Sequence, residues 1–123
     1  MVLEGTDNDI DDCVIDASGG DHGVLILGDG TAAQHDLRDI RVSGAVNGIT
    51  QGASGAGIDL RNSTITGNSG VGLSFEAMGA VGNFEDNQFS GNGTDVQCAD
   101  VSPQVNGQGN ALATCMVCEN CNF

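Results

Sequence analysis

The feature that most restricts what this chain can fold into is a repeat. Leu37, Leu60 and Phe84 recur at steps of 23 and 24 along the sequence, and Val42, Ile65, Phe89 and Leu112 at steps of 23, 24 and 23. Ile49, Leu73 and Val96 follow at 24 and 23, with Val24 lying 25 before Ile49. Small residues keep the same beat: Ser43, Thr66 and Ser90, then Gly44, Gly67 and Gly91. Within Leu60–Phe75 the apolar positions are Leu60, Ile65, Val71, Leu73 and Phe75, and Asn62, Gly67, Asn68, Gly70 and Gly72 stand between them. Asn and Gly suit tight turns and left-handed backbone. Short apolar runs broken by such residues, with no helical period, describe one coil of a solenoid.

Four coils are expected, near residues 13–36, 37–59, 60–83 and 84–106, with a partial fifth from Gly107. The acidic stretch 1–12 and the Cys-rich stretch 114–123 flank coils spanning 13–113, and each is placed to cap an end. Each coil would contribute about three short strands, stacked about 4.8 Å apart in parallel ladders. A coil buries its apolar face only against its neighbours, so about three are needed for stability. Leucine-rich repeats share this period. Their returns are helical or extended, however, whereas Gly-Ala-Ser-Gly-Ala-Gly (52–57) and Glu-Ala-Met-Gly-Ala-Val-Gly (76–82) are too Gly-rich to favour helix.

Charge narrows the partners. Seventeen Asp and Glu face three Arg and no Lys, a formal net charge of −14. Nucleic acid is excluded as a partner, because phosphate neutralisation needs Lys and Arg. An anionic membrane surface is excluded on the same ground, and no apolar run approaches the roughly 20 residues of a membrane helix. Residues 1–12 lack the basic start and apolar core of a signal peptide. The simplest role for so many carboxylates is a solubilising surface, and the functional alternative is cation binding.

The pattern Leu-x-Asn-x-x-Ile-x-Gly-Asn-x-x-x-Gly-Leu from Leu60 to Leu73 resembles the repeat of right-handed parallel β-helices, the pectin-lyase-like superfamily. Phe84 to Val96 repeats it as Phe-Glu-Asp-Asn-Gln-Phe-Ser-Gly-Asn-Gly-Thr-Asp-Val, and Leu37 to Ile49 is a looser copy. The resemblance covers roughly Cys13 to Leu112. It implies an all-β, right-handed, single-stranded parallel β-helix of about four to five coils. It also implies a secreted or cell-surface location. Members that cleave acidic polysaccharides mount Asp residues, often with Ca²⁺, and a basic residue on one lateral sheet.

Stacking brings polar residues into rows as well. Asp36, Asp59 and Asn83 share one, Arg38, Arg61 and Glu85 another, and Asp39, Asn62 and Asp86 a third. The third is expected to be a ladder of turn formers, with Asn68 and Asn92 in the same role. Asp36, Arg38, Asp59 and Arg61 are the candidate catalytic residues, since a lyase needs a cation for the uronate and a base for its α-proton. Arg is a poor base, so the competing expectation is a surface network of ion pairs: Arg61–Glu85 and Arg38–Asp59. Asp11-Asp12 and Asp21-His22-Gly23 are similar to polygalacturonase motifs but lie much closer together than a coil, and no Arg-x-Lys accompanies them. His22 and His35 are expected in exposed loops.

No cofactor is expected. Asp7, Asp9 and Asp11 alternate as oxygen ligands do and form the one candidate Ca²⁺ site. Cys115-x-x-Cys118-x-x-Cys121 with Cys98 could bind zinc or a cluster, or form disulfides. Cys121 follows Cys98 by one coil's step, which favours a bridge between these two, with Cys115–Cys118 a further pair and Cys13 single. Function is expected to be non-catalytic: an extracellular structural or carbohydrate-contacting module. The alternatives are a lyase or hydrolase of acidic glycans and a module that oligomerises through its exposed ends.

Overall fold

A computed structural model describes residues 1–5, 7–27, 34–52, 57–76, 81–99 and 104–118. They form a parallel β-solenoid of about four turns, with no helix among the described residues. Each turn lays down three strands in a fixed order. The fullest runs are β5 (Gln34–Arg38), β6 (Arg41–Ser43) and β7 (Asn47–Gln51), then β8 (Gly57–Arg61), β9 (Thr64–Thr66) and β10 (Val71–Phe75), then β11 (Val81–Glu85), β12 (Gln88–Ser90) and β13 (Thr94–Cys98). Before them come β1 (Val2–Glu4), β2 (Asp9–Asp11), β3 (Val14–Asp16) and β4 (His22–Leu27), and after them β14 (Gln104–Gln108) and β15 (Cys115–Met116). Three parallel sheets result, in the orders β1-β4-β7-β10-β13-β15, β14-β11-β8-β5-β2 and β12-β9-β6-β3.

The expected core rows are the observed ones. Leu37, Leu60 and Phe84 are in register and fully buried, as are Val24, Ile49, Leu73 and Val96. Val42, Ile65 and Phe89 form the row of the smallest sheet. Each such side chain contributes roughly 1.5–3 kcal/mol by leaving water. Phe75 and Phe84 meet edge to face at 5.7 Å. Gly82 makes room for that contact, since a Cβ there would lie 2.3 Å from the Phe84 ring.

The stack begins at Val2. Residues 1–12, expected as a cap, supply β1, paired with β4, and β2, paired with β5. The first coil is the irregular one, with extra residues both before and after β4. Asp9 pairs with Asp36 and Val14 with Arg41, each a wider step than any between the later coils.

The turns follow Asx chemistry. Asp12, Asp39, Asn62 and Asp86 all take a left-handed φ, between 48° and 54°, and Gly109 continues the series at 71°. Just inside that corner runs a second ladder. The Oδ1 of Asn87 accepts from Ser63 N at 2.9 Å, and its Nδ2 donates to Leu60 O at 2.7 Å and to Asn110 Oδ1 at 2.9 Å. At the next corner Asn68 Nδ2 donates to Asn92 Oδ1 at 3.0 Å. Buried backbone groups at the corners are satisfied this way, which the sheets alone cannot do.

The cysteine pairing differs from expectation. Cys98 is bonded to Cys118, with Cα atoms 5.0 Å apart, rather than to Cys121, which lies outside the described residues. The cause is a short last coil: Val96 pairs with Cys115, a narrower step than any before it, and a left-handed Val117 (φ 68°) redirects the chain. A Cys115–Cys118 pair is thereby excluded, and Cys115 is itself disulfide-bonded. Cys13 is a free, half-buried thiol.

Candidate functional site

Alternation along a strand sends Leu37, Leu60 and Phe84 inward and the residues on either side outward. The outer face of the five-stranded sheet therefore carries two parallel rows. One runs Asp9, Asp36, Asp59, Asn83, Asn106; the other runs Asp11, Arg38, Arg61, Glu85, Gln108. All four candidate catalytic residues stand together on this face, as the spacing predicts.

Their pairing neutralises both guanidiniums and leaves the face with an excess of carboxylates, five against two. Arg38 bonds Asp9 at 2.9 Å and lies 3.4 Å from Asp36. Arg61 lies 3.2 Å from Asp59 and 3.9 Å from Glu85. The expected Arg61–Glu85 pair is present, whereas Arg38 turns to Asp9 and Asp36 instead of Asp59. Register explains the choice: Asp36 is two positions away on the same strand, and Asp9, in the stretch expected as a cap, lies beside Asp36 on the adjacent strand. Asp59 also accepts a 2.6 Å hydrogen bond from Asn83 Nδ2. The hydrogen bond to Asp9, and then the charges of Asp36 and Asp9, push the Arg38 guanidinium still further above its ordinary range. Such a group orients an anion but takes no proton.

At the C-terminal end of the face, Arg61, Asn83, Glu85, Asn106 and Gln108 surround a pocket of about 330 Å³, together with Phe84 and Gly107. Gln108 Nε2 donates to Glu85 Oε1 at 3.2 Å. The three strands β8, β11 and β14 thus offer amide, carboxylate and guanidinium groups side by side, a set suited to hydroxyl groups.

The Asp7, Asp9, Asp11 triplet is drawn to separate partners. Asp7 Oδ1 accepts from Gln34 N at 3.4 Å, Asp9 holds Arg38, and Asp11 stands in the neighbouring row. Among the described residues no group of three His, Cys, Asp or Glu side chains converges on one point.

Both histidines lie on strands rather than in exposed loops. His22 opens β4, half-buried, with Nδ1 2.8 Å from Thr50 Oγ1. His35 lies on β5, fully buried in the row of Ile58. Its Nδ1 is 3.3 Å from Asn8 N and 3.1 Å from Asn8 Nδ2, so it accepts, and its Nε2 has no partner among the described residues. Burial lowers its pKa, and Asp7 offsets this in part.

Asp95 escaped the sequence reading entirely. Nearly buried, it receives Ala113 N at 2.8 Å, Thr114 N at 3.2 Å and Asn92 Nδ2 at 3.1 Å, tying the last coil to the stack. No carboxylate recurs at its position, since Gly72, Gly48 and Gly23 precede it in the row. No family model, curated protein or solved structure matches this chain.

Proposed function

We propose that this chain is a non-catalytic, pectin-lyase-like β-helix module that contacts carbohydrate outside the cell. The observation that carries the reading is the pocket bounded by Arg61, Asn83, Glu85, Asn106 and Gln108. These groups donate and accept hydrogen bonds in fixed relative positions, as sugar hydroxyls require, and each bond of this kind contributes about 0.5–1.5 kcal/mol. Both guanidiniums are matched by carboxylates, so the face offers no strong cation for a uronate. With a net charge of −14, a neutral glycan suits it better than a polyuronate. The disulfides support an oxidising location.

Affinity electrophoresis in gels holding a neutral galactomannan, a neutral β-glucan or polygalacturonate tests this. Retardation by a neutral polymer, weakened several-fold by Asn83→Ala, is the expected result. No retardation in either neutral gel removes the carbohydrate role. Release of unsaturated uronides from polygalacturonate, abolished by Arg61→Ala with the fold intact, would establish a lyase instead.

A further inference from the structure

We propose that copies of this chain stack head to tail, the last coil of one against the first coil of the next, so that all three sheets run on across the joint. The inference concerns the two ends of the solenoid and does not require the carbohydrate reading, although Asn106 and Gln108 border both the pocket and the joint.

At one end β1, β2 and β3 each terminate a sheet, and at the other β15, β14 and β12 do so. The core is half-open in the same places. Six apolar side chains pack against it while only partly buried: Ile10, Cys13 and Ile15 in the first coil, and Leu112, Cys115 and Cys118 in the last. Their neighbours in the same rows, Leu37 and Val42, are fully buried. Of the six exposed large apolar side chains among the described residues, Met1, Val2 and Val14 belong to the first coil and Met116 and Val117 to the last. Among the described residues, large apolar exposure is therefore confined almost wholly to the first and last coils.

Charge selects the second copy and its direction. The first coil presents Glu4, Asp9, Asp11, Asp12 and Asp16, so two first coils repel. Residues 104–118 carry no Asp, Glu, Lys or Arg, and they place Asn106 and Gln108 at the ends of the two outer rows. A first coil following there would set Asp9 beside Asn106 and Asp11 beside Gln108. The molecule already makes rungs of this kind, from Asn83 to Asp59 and from Gln108 to Glu85. Tail-to-tail pairing would oppose amide to amide, whose neutral hydrogen bonds are weaker than those an amide makes to a carboxylate. The contact is heterologous, so it propagates.

Analytical ultracentrifugation over a range of concentrations, in high salt to shorten the reach of like charges, tests the inference. Wild type should give multiples of the 12.4 kDa chain that grow with concentration. Val14→Pro removes an edge N–H: Cys13 O and Ala17 N bond the neighbouring coil, which leaves Val14 facing outward. Asn106→Asp combined with Gln108→Glu makes the other end acidic. Each variant alone should be monomeric, and their equimolar mixture should form a one-to-one dimer through the two intact ends. Val46→Lys, an exposed side position, should associate as wild type does. A monomeric wild type at every concentration would overturn the proposal. So would self-association of the Asn106→Asp/Gln108→Glu protein, or a mixture that stays monomeric while both variants show the wild-type circular dichroism.

Discussion

His35 puts a titratable ring into a row otherwise occupied by Ile58, Gly82 and Val105. Burial disfavours its imidazolium, so its pKa in the folded protein lies below the ordinary value of 6.5. Above that value both states hold a neutral ring and the stabilisation is fully present. As pH falls through 6.5 the unfolded chain binds a proton that the folded chain resists, and stability is lost until the folded pKa is reached. One proton limits the slope to about 1.4 kcal/mol per pH unit. Urea midpoints measured from about pH 7 to about pH 5 should therefore fall for wild type and stay flatter for His35→Leu. Equal slopes would show that another group governs this window. Asp16, whose pKa is lowered by its Ser18 hydrogen bonds, contributes only at lower pH, where carboxylates protonate. The burial of His35 was legible in principle, because Leu37 two positions on points inward and strand alternation carries His35 with it. The left-handed turns at Asp39, Asn62 and Asp86 were legible without that step, since Asx geometry is local. The shared face of Asp36, Arg38, Asp59 and Arg61 followed from period alone, as did the Arg61–Glu85 pair, but the partners of Arg38 did not, because Asp9 belongs to the coil of irregular length.

At the scale of the strand and its corner, close stacking is set by Gly23, Gly48 and Gly72, which lie in one row where the chain enters the six-stranded sheet. A Cβ on Gly48 would lie 2.6 Å from Gly72 O, 2.8 Å from Asn68 Nδ2 and 2.9 Å from Ile65 Cγ2. The first of these is backbone held in a ladder and the second is an asparagine committed to Asn92, so neither yields cheaply. Gly48→Ala should cost about 1–3 kcal/mol in urea unfolding, the usual range for overpacking. Gly52→Ala is the matched control: its new methyl would sit 3.6 Å from the flexible ends of Leu25 and Leu27. Stability there should change by no more than about 0.5 kcal/mol, or rise slightly through a less mobile unfolded chain. Similar losses at both positions would mean that close approach at the corner is not what restricts Gly48. The regular coils could be read because their strands and corners recur at a nearly constant step, as Leu37, Leu60 and Phe84 do. The extra residues of the first interval lie between strands, before and after β4, where they disturb few contacts, and they take β2 and β3 off the common step.

For the whole molecule, stability is a sum over neighbouring coils, and an end coil has only one neighbour. The last coil is also the shortest, with β15 confined to Cys115–Met116 and a single bridge from Gln88 to Ala111. Its attachment depends on covalent and polar ties: Cys98–Cys118, and Asp95 receiving Ala113 N and Thr114 N. The disulfide joins cysteines at a sequence separation of 20, and closing a loop of that size stabilises a fold by about 3 kcal/mol. In a globular domain its loss would lower the stability of every part together. In a solenoid the loss should stay local, since β7 and β8 touch only adjacent coils and keep all their partners. Cys118→Ser should therefore leave the amides of Ile49, Gln51 and Leu60 as protected from hydrogen exchange as in wild type. Protection at Ala111 and Val96, whose amides bond Asn87 O and Thr114 O, should fall by a hundred-fold or more, the equivalent of about 3 kcal/mol. A uniform fall across all three sheets would instead show that the coils unfold as one unit. Partial loss at Val96 with Ala111 unchanged would place the weak boundary between the disulfide and the corner ladder of Asn87 and Asn110.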